Sequence, residues 1–364
     1  MSKLKTEDGK GNEASAQGKG LKIGFFADSY FPRKDGQVYT VKTWKQKLEA
    51  RGHEVYVIYP GSDHEPGEYE IALRSVKNPW YKHYIGLPLG TGSLPDLDVV
   101  HCHSPGPIGL LGRYYARKKD IASVYTFHTP LEEYIPQVVR PDFISTAVNR
   151  AYRWIDNKFL NSFDAVTSNT AEIPRDIEFT ELPVGIDMDY FHETGESFVD
   201  EMDVERPVLG YSGRLSEEKK IDQLIEFFEG LEGTLIIVGE GRDEERLKQK
   251  ASENVVFRDF LPREKLPEFY SGIDVFATCS ESDTLSLTTL EASACGTPVL
   301  APDVHPFDGT INGNGECFRP GDREDFEAKL EKVLEKDYST RKEVERFSME
   351  KSIDKLIELY REVM

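Results

Sequence analysis

Apolar residues along this chain gather in short runs, and the stretches between them carry apolar positions at helical spacing. "LKIGFFADSY" (21–30), "VYVIYP" (55–60), "DVVHCHS" (98–104) and "SVYTFHT" (123–129) are compact apolar runs that end in polar residues. Near-continuous apolar runs of this kind predict strands of a parallel sheet buried on both faces. "FDAVTSNT" (163–170) and "FTELPVGID" (179–187) close the first half in the same way. Between the first two runs, Val38, Val41, Trp44 and Leu48 recur at helical spacing, and Gly52 in "EARGHE" stops the helix. A second helix is predicted after Pro107.

The second half restarts the alternation. "PVLGYSG" (207–213), "GTLIIVGEG" (233–241), "NVVFRDF" (254–260), "DVFATCS" (274–280) and "TPVLAPD" (297–303) read as strands. Helices are expected at Ile221, Leu224, Ile225 and Phe228, around Glu244 to Lys250, and from about Thr284–Leu287 to a stop at Gly296 and Pro298. A last helix, about 340–364, carries Phe347, Ile353, Leu356 and Ile357 in one stripe. Repeated βα units predict an α/β chain with a parallel sheet in each half and ligands at the carboxyl ends of strands.

Charge sharpens the division. The chain of 364 residues has a formal net charge of −20. Residues 22–180 carry 19 Lys and Arg against 19 Asp and Glu, whereas residues 181–364 carry 22 against 43. The boundary is therefore expected near residue 180: a flexible tail (1–20), domains at 21–180 and 181–340, and a terminal helix (341–364) that crosses back to the first domain. So acidic a surface argues against nucleic-acid binding. No apolar run approaches the roughly 18 residues of a membrane span, and the first twenty residues lack the apolar core of a secretory signal. Four cysteines without a CxxC pair read as buried thiols of a reducing compartment.

Two stretches carry candidate chemistry. In "GYSGRLSEEKKID" (210–222), Gly213 ends a strand, and Arg214 and Lys219 follow beside a helix start. Cations next to a helix N-terminus suit a diphosphate, although a solvated basic pair among Glu217 and Glu218 has the same pattern. In "ESDTLSLTTLEASACGTPVL" (281–300), Asp283 precedes a helix and Glu291 lies about two turns along it, roughly 10 Å away at helical rise. Two carboxylates so spaced can accept hydroxyls at both ends of a nucleotide-sugar, or can be a helix cap and an exposed Glu.

Taken in order, these segments resemble the retaining GT-B glycosyltransferases of family four. The resemblance runs from "IGFFADSYFPRKDGQVYTVKTWKQKLEARGHEVYV" through "DVVHCHSPGPIGLLG", "YTFHT", "LPVGIDMDYF", "GYSGRLSEEKKID", "IIVGEGRDEERL" and "FRDFLPREKLPEFYSGIDVFATCS" to "LEASACGTPVLA". It implies two Rossmann-like domains facing a central cleft, acceptor on the first and donor on the second. By the same resemblance Arg214 and Lys219 neutralise the donor diphosphate, Glu291 holds the ribose and Asp283 faces the hexose. His128 polarises or hydrogen-bonds the sugar, Gly36, in a turn before a helix, lets backbone amides approach the phosphate or sugar, Gly213 is among the donor-binding residues, and Phe260, Leu261 and Pro262 flank the base. Ser286 and Leu287 line the donor, and His101 and His103 lie on the acceptor side. No cofactor and no metal are implied. Two departures stand out: Asp283 replaces the family's Glu, and Ser286 stands at a position where the family has Gly.

The acceptor leaves more than one reading. "GRYYARKKD" sets Arg113, Arg117, Lys118 and Lys119 with two tyrosines on a helix, and "NPWYKHYIGLPLG" adds Trp80, Tyr81, Tyr84 and Leu87. Basic residues with aromatics suit an anionic lipid surface, though a solvated helix face has the same composition. The resemblance to diacylglycerol glycosyltransferases points to transfer of a hexose from UDP-hexose to a membrane lipid, by a cytoplasmic enzyme peripheral to the membrane. A soluble sugar or sugar-phosphate acceptor, a GT-B epimerase, and a non-catalytic nucleotide-sugar-binding protein are the alternatives.

Overall fold

A computed structural model describes residues 20–33, 36–77, 84–87, 94–128, 142–169, 173, 175–283 and 285–364. Trp80, Tyr81, Thr284 and the tail up to residue 19 lie outside the described residues. The chain opens with β1 (Lys22–Phe26), α1 (Gly36–Ala50), β2 (Glu54–Pro60), β3 (Glu70–Leu73), β4 (Ser75–Lys77) and β5 (Tyr84–Gly86). It continues with β6 (Val99–Cys102), α2 (Pro107–Lys119), β7 (Ala122–Phe127), α3 (Asp142–Leu160), β8 (Ala165–Ser168) and β9 (Thr180–Glu181). The first sheet has the order β3-β2-β1-β6-β7-β8-β9, and β4 with β5 forms a separate antiparallel pair.

The second half holds β10 (Val208–Ser212), α4 (Ile221–Phe228), β11 (Thr234–Val238), α5 (Glu244–Lys250), β12 (Val255–Arg258), α6 (Leu266–Gly272) and β13 (Val275–Ala277). After these come α7 (Leu287–Ala294), β14 (Val299–Pro302), α8 (Phe307–Thr310), β15 (Gly315–Phe318), α9 (Arg323–Glu335), α10 (Thr340–Val344) and α11 (Met349–Val363). The second sheet has the order β12-β11-β10-β13-β14-β15, all pairs parallel. Both halves are thus α/β with doubly wound, parallel sheets.

Packing groups the chain into two compact units. The first takes the chain to Thr126, with Phe159–Ala165 and Tyr360–Met364; the second takes Phe127–Lys158 and Val166–Leu359. In the first, Ile23, Phe25, Phe26, Val99, Val100 and Val124 are fully buried, as a strand covered on both faces requires. Val38, Val41, Trp44 and Leu48 of α1 lie under this sheet with no exposed surface, each contributing about 2 kcal/mol by burial. Gly52 takes φ +85°, the left-handed cap that ends α1. In the second unit, Leu209, Leu224, Phe228, Leu235, Ile237 and Val275 form the centre of a core closed by Phe318 and Phe326.

Several boundaries differ from the sequence reading. "FTELPVGID" forms only the two-residue strand β9, whereas α7 starts at Leu287, within the range expected. The expected single terminal helix is broken: α10 ends at Val344, a 3-10 turn spans Glu345–Phe347, and α11 begins after Ser348. The break has a local cause. Gly185 takes φ +82°, a Cβ on it would lie 2.7 Å from Met349 Cα, and Ile186 N–H donates to Phe347 C=O at 2.8 Å, so the extended 185–186 segment is seated against the chain where helix would otherwise run.

Candidate active site

The second sheet places the candidate residues. From β10 the chain winds outward through β11 and β12, then returns to the other side of β10 for β13, β14 and β15. The order reverses between β10 and β13, and the crevice outside the carboxyl ends of two such strands is the ligand site of open α/β sheets. Gly213, Arg214 and Lys219 follow β10, and Thr278 to Asp283 follow β13. Residues far apart in sequence meet there because both strands end at the same edge.

The loop after β10 is clamped by its neighbour. Gly213 N–H donates to Val238 C=O at 3.0 Å, and Leu215 N–H to Glu240 C=O at 3.0 Å. The two backbones approach so closely that a Cβ on Gly239 would lie 1.9 Å from the Gly213 carbonyl oxygen. This contact explains the glycines of "GEG": any side chain there would push the loop out of place. The loop then turns through a 3-10 segment, Glu217–Lys219, into α4.

Lys219 and Asp283 meet directly, Nζ to Oδ1 at 2.6 Å, with the two side chains about one-fifth exposed. Beside them Lys220 pairs with Glu281 at 2.6 Å, and Ser282 Oγ donates to the Glu218 carbonyl at 3.1 Å. The loops after β10 and β13 are therefore laced together. Arg214 projects outward, its side chain 73% exposed, and its Nη1 lies 3.7 Å from Glu218 Oε1. An outward guanidinium beside a seated ammonium is a suitable pair for phosphate oxygens.

Glu291 occupies a different environment. It lies on α7, 5% exposed. Tyr270 OH donates to its Oε2 at 3.3 Å, and Arg263 Nη2 lies 3.7 Å from its Oε1. Tyr270 also bonds Ser212 Oγ at 2.8 Å, which ties the carboxylate to the end of β10. Burial pushes the Glu291 carboxyl up to about 7, against the lowering effects of Arg263 and Tyr270. Ser286, at the start of α7, holds φ +53°, a left-handed conformation that costs a non-glycine residue roughly 1 kcal/mol. The backbone thus demands the glycine-like geometry although the residue is serine. Leu287 is half-buried at the first position of α7, and beyond β12 Phe260 is 60% exposed with Leu261 half-buried.

The remaining candidates come from the first half of the chain. His128, just after β7, is half-buried, and burial pushes its imidazole down to about 4, so it is uncharged at neutral pH. Gly36 is the first residue of α1 and not part of a preceding turn; a Cβ there would meet nothing. His101 and His103, read as acceptor-side residues, lie buried inside the first unit. His101 is fully buried, its Nδ1 bonded to Tyr360 OH and its Nε2 to Thr126 Oγ1, each at 2.6 Å. Its ring stacks on His103 with centroids 4.3 Å apart and meets Phe25 edge-on. The pair is a structural node that receives the last turn of α11. Among the described residues, no group of three His, Cys, Asp or Glu side chains could hold a metal ion.

Arg263, Tyr270 and Asp28 were not singled out from sequence. Asp28 accepts from Ile108 N–H at 2.9 Å and Gly109 N–H at 3.3 Å, capping α2 from eighty residues away, beyond the reach of local capping rules. Tyr270 falls in an ordinary apolar helix pattern, and Arg263 is one basic residue among charged neighbours in "PREK".

Two family models match the chain: glycosyltransferase family 4 over residues 34–179 and glycosyl transferases group 1 over residues 194–351. The first spans α1 to β8 and the second β10 to β15. The chain is a group 1 glycosyltransferase. The alpha-monoglucosyldiacylglycerol synthase of Streptococcus pneumoniae is 29% identical over 318 residues, 77% of this chain and 71% of the relative. The GDP-mannose-dependent alpha-mannosyltransferase of Mycobacterium tuberculosis is 29% identical over 308 residues, 78% of this chain and 79% of the relative. Among solved structures, the glycosyltransferase superposes on sucrose-phosphate synthase from Thermosynechococcus elongatus with TM-score 0.71, 19% identity, and 93% and 98% of the two chains covered. It superposes on Anabaena HepE in complex with UDP-glucose with TM-score 0.68, 16% identity, and 94% and 100% covered. Both of its halves therefore have the Rossmann-like GT-B architecture.

Proposed function

We propose that this glycosyltransferase transfers a hexose from a nucleotide-sugar, UDP-hexose first, to a membrane lipid with retention of the anomeric configuration. The observation that carries the donor reading is the arrangement at the β10–β13 reversal: a cationic pair, Arg214 and Lys219, follows β10, and Tyr270 ties the buried carboxylate Glu291 to Ser212 at the end of that strand. In this reading the diphosphate takes the place of Asp283 on Lys219 and engages the outward Arg214. Both cations then stabilise the negative charge that develops on the leaving nucleotide, the largest electrostatic demand of the reaction. Glu291 accepts the ribose hydroxyls, Asp283 the hexose hydroxyls, and Phe260 with Leu261 borders the base. The acceptor oxygen forms its bond to the anomeric carbon on the face the phosphate leaves, and the departing phosphate oxygen takes the acceptor proton. Neutral His128 contributes a hydrogen bond, not a positive charge. With two cations on the phosphates, the reading calls for no metal ion.

The lipid acceptor is supported by the diacylglycerol-directed Streptococcus relative and by α2. Leu110 and Tyr114 are 54% and 58% exposed, and one or two turns on Arg117 and Lys118 are exposed on the same stripe. Apolar residues followed by cations on one helix face suit docking to an anionic leaflet. No helix among the described residues is long and apolar enough to cross a membrane. The contact proposed for α2 is peripheral, on the cytoplasmic face. The Mycobacterium relative supports GDP-mannose as the second donor candidate.

The test is transfer from radiolabelled UDP-glucose and GDP-mannose to vesicles containing diacylglycerol and phosphatidylglycerol. Label in the organic phase with UDP-glucose is the expected result. Label only in water-soluble products would replace the lipid by a soluble acceptor. Donor binding without product on any acceptor would leave a binding protein.

A further inference from the structure

Glu291 is a carboxylate enclosed by protein, and the groups that face it come from four places. Arg263, just before α6, is the cation, 3.7 Å away. Tyr270 of α6 donates its hydroxyl at 3.3 Å. Tyr190, in the segment before β10, and Cys295, the C-cap of α7, are further titratable groups whose charge couples to it. Both are neutral at pH 7, because burial raises each above its ordinary value.

Arg263 is held in place by a shelf. Its guanidinium lies over the Phe191 ring at 5.0 Å and the Tyr190 ring at 5.7 Å. That shelf is fixed in turn by Arg341, which donates to the carbonyls of Phe191 at 2.7 Å, Ala294 at 2.8 Å and Met188 at 2.6 Å. Arg341 thus binds the 188–191 segment to the end of α7, the helix that carries Glu291. Among the described residues, the ion pair within 4 Å of this carboxylate is the one with Arg263.

We propose that Arg263 is a positioning residue for donor binding: it keeps Glu291 ionised and turned toward the ribose diol, and so sets the pH range in which the donor binds. The inference rests on the reading of Glu291 as the ribose ligand. An ionised carboxylate accepts two hydroxyls at once, whereas the protonated acid has one fewer acceptor and presents a donor. Burial alone opposes ionisation, and the adjacent guanidinium opposes burial. Arginine suits this task better than lysine because its planar cation can lie flat on aromatic rings while one edge faces the carboxylate.

The experiment measures UDP and GDP affinity by calorimetry from pH 5.5 to 9 for the wild type, Arg263→Met and Arg263→Lys, with 2′,3′-dideoxy-UDP as the probe lacking the diol. The expected wild-type affinity falls below about pH 7, the value to which burial brings Glu291. Removing one partly screened charge moves that midpoint up by about one pH unit in Arg263→Met. The variant then binds UDP several-fold more weakly at pH 7 but approaches wild type at pH 9, and Arg263→Lys keeps most of the wild-type midpoint. Equal weakening of Arg263→Met at every pH makes Arg263 merely structural and overturns the proposal. So does an unchanged midpoint in a variant with wild-type thermal stability. A wild type that binds UDP and the dideoxy analogue equally well removes Glu291 from the ribose and overturns the underlying reading as well. A wild type that binds neither UDP nor GDP at any pH does the same.

Discussion

Replacing Glu291 by glutamine should stabilise the free enzyme while weakening its substrate binding, and the size of the gain should depend on pH. The carboxyl titrates at about 7 in the folded protein against 4.5 for the ordinary group. Between those values the folded state holds a proton that the unfolded state has released, so stability from this residue falls as pH rises through the window. At about 1.4 kcal/mol per pH unit, the carboxylate costs on the order of 3 kcal/mol above pH 7. Glutamine is close in shape, keeps an acceptor for Tyr270 and never ionises. Urea unfolding of wild type and Glu291→Gln from pH 4.5 to 8.5, followed on the transition of the second unit, reads the difference directly. The variant should draw level near pH 4.5, gain steadily to about pH 7, and hold its advantage beyond. Nucleoside diphosphate affinity at pH 8 should fall at least tenfold in the same protein. A stability difference that does not vary with pH would refute the reasoning, since it would mean that Glu291 is solvated or fully compensated.

Other outcomes follow from the same geometry. Lys219→Ala should abolish detectable transfer while circular dichroism is unchanged; full activity would move the phosphate site elsewhere. Ser286→Gly relieves a left-handed residue and should add about 1 kcal/mol in urea melts, and a loss of stability would mean that the serine side chain is needed. Asp28→Ala removes the acceptor of two amides at the start of α2 and should cost about 1–2 kcal/mol of stability, measured on the transition of the first unit. Leu110→Glu with Tyr114→Glu should release the enzyme from phosphatidylglycerol vesicles in co-sedimentation and leave nucleoside diphosphate binding intact; unchanged sedimentation would exclude α2 as the docking face.

Much of the architecture was legible because its causes are local. Buried parallel strands need unbroken apolar runs, and β1, β2, β6, β10 and β11 lie where such runs stand. The α1 stripe and the left-handed stop at Gly52 are equally local. "FTELPVGID" has the composition of a longer strand than β9, because apolar content alone does not separate a strand from an extended segment seated on another element. His101 and His103 illustrate the same limit in the site: a histidine at the end of a strand has one sequence appearance whether it faces a ligand or is satisfied in a core. Tyr360 and Thr126, which decide the case, are remote in sequence from His101.

What the sequence determined by itself is the series of βα units, the acidic second half, and the residue types at the proposed donor site: Arg214, Lys219, Asp283 and Glu291. What only the tertiary structure decided is their company. Lys219 has a partner because β10 and β13 end side by side. Glu291 is enclosed because α6 and the 188–191 segment close over α7, with Arg263 as its counter-charge. Spacing along a chain sets which side chains a helix or loop presents. Burial and counter-charges are properties of the surroundings, and these form when distant segments pack together.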